Sequence, residues 1–207
     1  MPNWCYNSVE FSGSKEDIRR MKSIVEKVEQ GFEQGVFEKL IGRDESITDE
    51  QFKDGGWYDH NIDRYGTKWD VGKDGFDFYD ESGTWSDDTA WSPPIDFWKI
   101  CSEMYNLDVE MYWEEAGNDI CGRCAIQNGD ILEEENYEYQ EGIYKLGSFS
   151  DWYEREWDAV GRFDLHEELE GEKPTRKGVL ELLEKRYSFL ESIERDELAD
   201  EIMNELK

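Results

Sequence analysis

The chain has 207 residues, enough for one well-packed core with an appendage. It is strongly acidic, because 52 Asp and Glu residues against 23 Lys and Arg residues give a net charge of −29 at pH 7. Contacts to phosphate need Lys and Arg, so this composition argues against direct binding to nucleic acid. Aromatic residues form 14% of the chain, which is ample for a folded core and argues against a disordered protein.

The acidic charge is uneven along the chain. Residues 44–170 contain 35 acidic and 9 basic residues and carry a net charge of −26. Solubility needs much less charge, and self-repulsion on this scale destabilises a compact domain. We therefore expect a partner with a positively charged surface, such as a host protein that binds nucleic acid. The alternative is a general acidic surface of the halophile type, without a specific partner.

No run of apolar residues is long enough to cross a membrane, and no signal peptide is recognisable, so the sequence predicts a protein of the host cytoplasm without a membrane partner. It predicts no cofactor. Cys121 and Cys124 have the spacing of half a zinc site, which Cys5 and Cys101 would complete. Strand-like alternation places the first two side chains on opposite faces, so the sequence leaves metal binding open.

The first elements form a β–α unit. Residues 4–11 alternate like a short strand. Ser14 and Asp17 then have the spacing of a helix N-cap, and apolar residues at helical spacing predict a helix as far as Phe32.

The middle of the chain predicts a meander after an irregular stretch. Residues 42–66 have no clear period and are interpreted as a long acidic surface excursion, in which His60 is a solvated loop residue. Alternation then predicts strands at 65–71, 76–80 and 85–91, with tight turns between them.

A Pro-Pro corner follows the meander. The pair Pro93-Pro94 favours extended backbone and then the first turn of a helix, whose apolar face extends to Tyr105. Strands at 107–113 and 120–126 come next, and Asn128-Gly129 is a strong signal for a two-residue hairpin. A last strand begins at Ile131 and is expected to end at the acidic run that starts with Glu133.

This order predicts an α+β fold, in which an elaborated ferredoxin-like antiparallel sheet carries helices on one face and a helical extension follows. We expect the sheet domain to span residues 1–146 and the acidic extension residues 147–207. A helix is predicted from Ser150, and the last two apolar segments predict a helical hairpin. The hairpin either packs on the sheet domain or forms the seam of a homodimer.

Three short motifs are similar to one known family. They are PNWCYN at residues 2–7, GTKWD at 66–70 and TAWSPP at 89–94. In this order they resemble the YubB-type ferredoxin-like proteins of phages and plasmids over about residues 1–132. The resemblance implies the fold and a mobile-element origin but no catalytic residues. It implies roles as sheet and helix anchors for Trp4, Trp69, Trp91, Pro93 and Pro94.

Charge and resemblance together predict an acidic phage-type protein that binds and inhibits a host defence or restriction factor by presenting a DNA-mimicking surface. The carboxylates expected to contact the partner lie in the acidic region. They are Asp74, Asp77, Asp80, Glu81, Asp87, Asp88, Glu133, Glu134, Glu135, Glu138, Glu141, Asp151, Glu154, Glu156 and Asp158.

Two alternatives stay open. A self-associating structural or accessory phage protein would use the C-terminal helices. A divalent-metal-dependent enzyme would use clustered carboxylates, such as Asp74, Asp77 and Asp80, to bind Mg²⁺ or Ca²⁺. The sequence contains no P-loop, HExxH, GxSxG or EF-hand motif, so no catalytic residue is predicted.

Overall fold

The structure is a computed structural model that describes residues 3–28, 35–146 and 174–206. Two compact units divide the chain, residues 1–136 and residues 137–207. The helices that the structure describes lack the combination of length and apolar character that a membrane-spanning segment needs.

The first unit is built on one antiparallel sheet. In the described residues its strands are β1 (Trp4–Ser12), β2 (Phe76–Phe78), β3 (Ser82–Ala90), β4 (Asp108–Glu115), β5 (Ile120–Gln127) and β6 (Asp130–Tyr137). Their order across the sheet is β2-β3-β1-β4-β5-β6. The first strand of the chain therefore lies near the middle, between β3 and β4, and the architecture is the predicted ferredoxin-like α+β sheet.

The helices described in this unit all precede β4 in the chain. They are α1 (Lys15–Val25), α2 (Val36–Ile41), α3 (Asp49–Gln51), α4 (Trp57–Tyr65) and α5 (Ile95–Tyr105), and a π-helical turn at Phe52–Gly56 joins α3 to α4. Apolar side chains of α1, α2 and α5 form one buried cluster with the sheet. Trp85 and Trp98 are fully buried in this cluster, and burial of one such side chain contributes on the order of 2–3 kcal/mol.

Alternation along β1 defines the two faces of the sheet. Val9 and Phe11 are buried against the helices, whereas Ser8 and Glu10 point to the other side. Residues directly opposite each other in an antiparallel sheet share a face, so the register assigns the side chains of the neighbouring strands. We call the side that carries Glu10 the outer face.

The predicted start of α1 is confirmed. Ser14 Oγ accepts a hydrogen bond from the Asp17 amide at 3.2 Å, and acidic residues in the first turn favour the positive end of the helix dipole. The helix ends at Val25, short of Phe32, which lies outside the described residues.

The interpretation of residues 42–66 as an irregular surface excursion is wrong, because most of this stretch is helical. A capping box between Thr48 and Gln51 begins α3, and Gly66, with a φ of 79°, ends α4 in a left-handed conformation. His60 is buried rather than solvated: its Nε2 accepts from the Asp44 amide at 3.2 Å and its Nδ1 lies 3.1 Å from Asn61 Oδ1. The helical period was hidden because the acids and Gly55-Gly56 interrupt it.

The strand predicted at 65–71 is also wrong. Tyr65 closes α4, and the following residues are irregular, although Thr67 is fully buried and donates from its hydroxyl to the Ala90 carbonyl at 3.0 Å. Side-chain hydrogen bonds replace the backbone hydrogen bonds of a strand in this segment. Alternation in the sequence is the same for a strand and for an irregular segment held in this way. The strands predicted around Phe76 and Trp85 are confirmed as β2 and β3.

The Pro-Pro corner has the predicted helix after it. Strand β3 runs to Ala90, and Trp91 then leaves the sheet with a φ of 74°. Helix α5 begins directly after Pro94 and buries Phe97 and Trp98, which confirms the apolar face.

The last three strands differ from expectation at one point. Asn128 and Gly129 have φ values of 51° and 83°, the positive values of a type I′ hairpin turn, as predicted between β5 and β6. Strand β6 does not end at Glu133 but continues through the acidic run to Tyr137. An edge strand tolerates adjacent acids because its outer border faces no further strand.

In the second unit the described helices are α6 (Tyr139–Leu146), α7 (Arg176–Arg186) and α8 (Ser192–Glu205). Helices α7 and α8 form the predicted helical hairpin, and their facing residues, such as Leu183, Leu198 and Ile202, make a separate apolar cluster. The helix predicted from Ser150 lies outside the described residues.

Candidate functional site

Six of the predicted contact residues lie on the β2–β3 hairpin, at one edge of the sheet. They are Asp74 before β2, Asp77 in β2, Asp80 and Glu81 in the turn, and Asp87 and Asp88 in β3. Lys15 binds the Asp80 carboxylate at 2.6 Å, and this hydrogen bond holds the pKa of Asp80 below its ordinary value. Burial, Asp88 and Asp74 raise the pKa of Asp87. The hairpin is therefore an acidic edge with one paired carboxylate.

A second group of predicted contacts lies on β6 and α6. Glu133, Glu134 and Glu135 belong to β6, the opposite edge strand, and Glu135 binds Arg123 at 2.7 Å. Glu138 and Glu141 belong to the second unit, where Glu141 binds Lys145. Five strand spacings separate the two edges of the sheet, which is about 24 Å. The predicted acids of the first unit therefore form two separate groups. Four further predicted contacts lie outside the described residues: Asp151, Glu154, Glu156 and Asp158.

The middle of the outer face carries carboxylates that the sequence analysis did not single out. Glu10 of β1 lies directly opposite Glu110 of β4, and Asp108 lies opposite Ser12 beside them. All three carboxylates are on exposed residues. The sequence alternation in β1 and β4 predicts that these carboxylates lie on the outer face, because each acid falls between two buried apolar residues. These acids lie between the two edges, at the centre of the outer face.

A shallow groove of about 480 Å³ follows this part of the outer face. Glu10, Asp108 and Glu110 line it, together with Tyr79 and Leu132, whose side chains are 62% and 60% exposed. Carboxylates and exposed apolar groups therefore lie side by side in one concave surface.

The β4–β5 end of the outer face is closed to solvent. The Tyr112 hydroxyl donates to Glu114 Oε2 at 2.5 Å and lies 3.4 Å from Cys121 Sγ, and all three residues are buried. Burial raises the pKa of Cys121 to about 11. Its thiol is therefore protonated at neutral pH and a poor nucleophile, which makes this cluster structural.

At the start of β1, beside the β4–β5 turn, three aromatic side chains surround one lysine and a fourth packs next to them. We call the set Trp4, Tyr58, Trp69 and Trp91 the aromatic corner. Lys68 Nζ lies 4.8 Å from the Trp69 ring centre, 4.6 Å from that of Trp91 and 5.9 Å from that of Tyr58. The ring centres of Trp4 and Trp69 are 5.8 Å apart, and these side chains are 51% and 37% exposed. The corner is thus an aromatic surface that already binds an ammonium group.

Hydrogen bonds between the three motif segments build this corner. Ser92 Oγ donates to the Gly66 carbonyl at 2.6 Å, and the Trp91 amide donates to the Asn3 carbonyl at 3.0 Å. Asn118 Nδ2 donates to the Trp91 carbonyl at 2.9 Å, which adds the β4–β5 turn. Both backbone groups of Trp91 are therefore bonded, and these bonds hold a bulky residue at a positive φ that costs about 1–2 kcal/mol.

Asp70, the last residue of the GTKWD motif, has a structural role. Its carboxylate accepts from the amides of Phe37 and Glu38 at 2.7 and 2.9 Å and so caps α2. Burial nevertheless raises the pKa of Asp70 to about 6. The carboxylate lies where a Cβ atom on Gly35 would stand, so this position needs glycine.

The sequence left metal binding by the four cysteines open. Cys5, Cys101, Cys121 and Cys124 are all free and buried, and the described residues contain no group of three or more His, Cys, Asp or Glu arranged to hold a metal ion.

Comparison with known proteins supports the fold. Residues 64–156 match the family model described as "Ferredoxin-like domain in Api92-like protein". This segment is similar to the ferredoxin-like domain of Api92-like proteins. The crystal structure of the protein api92 from Yersinia pseudotuberculosis is similar at 12% identity and a TM-score of 0.47, over 66% of this chain and 98% of that chain. No curated protein matches the chain.

Proposed function

We propose that this protein comes from a phage or plasmid and inhibits a host nucleic-acid-binding protein, such as a defence nuclease or restriction component. Its outer face occupies the basic surface that normally binds DNA or RNA. The partner's Lys and Arg residues contact the carboxylates of β1, β3, β4 and the strands beside them. Long-range attraction accelerates the encounter at low salt.

One observation carries this proposal: Glu10 and Glu110 are directly opposite each other on the outer face. Like charges in this position destabilise a sheet, so the pair has a cost for the fold. Arg123 is the one basic residue in the described strands, and it is bound to Glu135. We propose that cations of the partner relieve this repulsion at the centre of the face.

The density of charge on this face is comparable with that of DNA. The described outer-face residues with exposed or half-exposed carboxylates are Glu10, Asp77, Asp88, Asp108, Glu110 and Glu135. They extend over a sheet about 24 Å wide. A duplex of that length carries about 14 phosphates, of which one side presents about half. Since Glu135 is bound to Arg123, five uncompensated carboxylates stand against about seven phosphates, which supports mimicry of one side of a duplex.

The groove supports a protein partner rather than free ions. Tyr79 and Leu132 add exposed apolar area beside the carboxylates, and apolar burial gives a protein complex stability that charge attraction in water does not provide. The resemblance of the three motifs to YubB-type proteins of phages and plasmids supports the mobile-element origin and hence a host target.

The proposal is tested by capture of partners from host lysate with the tagged protein, at 50 to 500 mM salt and with duplex DNA as competitor. We expect a basic nucleic-acid-binding protein that is released by salt and by DNA. Titration with the purified partner then measures the affinity of the unmodified protein and of the triple variant Glu10→Gln, Asp108→Asn, Glu110→Gln. The variant should bind at least tenfold more weakly.

The matched control removes three charges elsewhere, with Glu16→Gln, Glu50→Gln and Glu103→Gln on α1, α3 and α5. This control should keep most of the affinity, because its net charge is the same and its outer face is intact. An equal loss of affinity in both triple variants would show that only the net charge matters and would contradict a specific role of the outer face. Binding that is indifferent to salt and to DNA would refute phosphate mimicry.

A further inference from the structure

We propose that the aromatic corner binds the guanidinium group of an arginine side chain of the partner, stacked on the open face of Trp4 with its charge beside Asp88. This inference rests on the proposed function and names the contact that anchors the basic partner at one end of the outer face. Lys68 is the internal cation of the same corner and occupies the neighbouring rings.

The corner already holds a cation. Lys68 lies between the rings of Trp69 and Trp91 and makes no described ion pair, although the chain contains 52 acidic residues. Ring faces attract cations through their quadrupole, and indole is the strongest of the side chains in this respect. The rings therefore provide an environment in which a positive charge is stable.

Trp4 is exposed, and Lys68 does not lie over its ring. Half of the Trp4 side chain is exposed, and its ring contacts only the neighbouring Trp69 ring among the aromatic residues described. Trp4 belongs to β1 and lies on the outer face, in line with Tyr6, Ser8 and Glu10. Trp4 is therefore exposed on the same face as Glu10, at the opposite end of β1.

A carboxylate, that of Asp88, lies close to the open ring of Trp4. Trp4 is opposite Ala90 and Tyr6 is opposite Asp88, so Asp88 and Trp4 are diagonal neighbours on the outer face, about 7–8 Å apart between their Cα atoms. Partial burial raises the pKa of Asp88, and no neighbouring cation counteracts it among the described residues. A cation above Trp4 would stabilise this carboxylate.

Arginine fits this arrangement better than the alternatives. Its planar guanidinium stacks on an indole and binds a carboxylate at its edge, and it is more weakly hydrated than an ammonium group. A nucleobase would also stack on Trp4, but its phosphate would meet the carboxylate of Asp88, and Lys68 is the cation described in this corner. The local charge therefore favours arginine.

The test uses three probes with the full-length protein at 20 mM salt: acetyl-tetra-arginine amide, acetyl-tetra-lysine amide and an eight-nucleotide oligothymidylate. Calorimetry gives the affinities, and the indole N–H resonance of Trp4 reports on the ring. We expect both peptides to bind, with a two- to five-fold preference for tetra-arginine, as one exposed cation–π contact provides. The Trp4 resonance should shift with tetra-arginine.

Two variants test whether Trp4 causes the preference for tetra-arginine. Trp4→Leu should bind both peptides equally, whereas Met104→Leu, at an exposed apolar residue of α5, should retain the preference. Equal binding of the peptides to the unmodified protein, or a preference that survives Trp4→Leu, would overturn this inference alone. Binding of neither peptide would overturn the proposed function as well. Oligothymidylate that binds more tightly than tetra-arginine and depends on Trp4 would assign the corner to nucleic acid.

Discussion

The pair Glu10–Glu110 allows the function and the stability of the outer face to be tested with one substitution. If these carboxylates are placed for a partner, then Glu110→Gln and Glu110→Lys should stabilise the isolated protein while they weaken binding. The two strands remain intact in both variants, because position 110 is exposed and its neighbours Val109 and Met111 provide the buried contacts of β4.

The expected gain follows from Coulomb's law. Residues directly opposite in an antiparallel sheet have Cβ atoms about 5 Å apart, so the two exposed charges are about 6 Å apart. In water their repulsion is about 0.7 kcal/mol. Screening reduces this to about 0.3 kcal/mol at 0.15 M salt and to about 0.6 kcal/mol at 0.01 M. Glu110→Gln should gain these amounts, and Glu110→Lys, which reverses the sign, about twice as much.

Urea unfolding at both salt concentrations measures the gain. A double-mutant cycle with Glu10→Gln isolates the coupling between the two positions, and Glu103→Lys on α5 controls for the change in net charge. Glu110→Lys should be more stabilising than Glu103→Lys, and the difference should shrink as salt is added. Equal gains at the two positions, or a coupling that salt does not change, would refute the assignment of direct repulsion at this pair.

Four further predictions concern the packing of the fold. Gly35→Ala should lower the free energy of unfolding by about 1–3 kcal/mol in urea titrations, because its Cβ would displace the Asp70 carboxylate. Carbon NMR should show that Asp70 titrates near pH 6. Because its pKa is raised from 3.8 in the folded protein, the free energy of unfolding is about 2–3 kcal/mol higher below pH 4, and this contribution is lost as the pH rises through 6. A measured value near 3.8 would contradict this. Asn7→Ala should cost about 1–3 kcal/mol in thermal unfolding, because the fully buried amide donates to Thr89 Oγ1 and to backbone carbonyls; Asn7→Ser should restore part of it. Leu183→Ala should cost about 2–5 kcal/mol in the C-terminal helical pair, seen as faster amide exchange there and unchanged exchange in the sheet.

Several elements were readable from the sequence because their signals are local. Ser14 caps α1, Asn128-Gly129 forms the β5–β6 turn, and Pro94 precedes α5, as the residues themselves predict. A cap, a two-residue turn and a proline act within four residues, so no distant contact is needed to recognise them.

Elements with mixed signals were misread for a common reason. Thr67 and Trp69 alternate like a strand, yet Thr67 bonds to Ala90 through its side chain and no ladder forms. His60 was expected in solvent because acids and glycines surround it, yet Asp44 and Asn61 provide its partners inside the fold. In each case a deciding partner, Ala90 for Thr67 and Asp44 for His60, is close in the fold but distant in the sequence, so local composition does not record it.

The sequence by itself determined the α+β class, the acidic character, most strand positions and the three motifs. Only the tertiary structure decided which charges and rings share a surface. The strand order places β1 between β3 and β4, so Glu10 meets Glu110 across 100 positions of sequence, and residues from three motifs form one aromatic corner. The same order moves the acids of β2 and β6 to opposite edges. Strand pairing depends on the packing of the whole core, and this is why neither the acidic face nor the corner follows from any single segment.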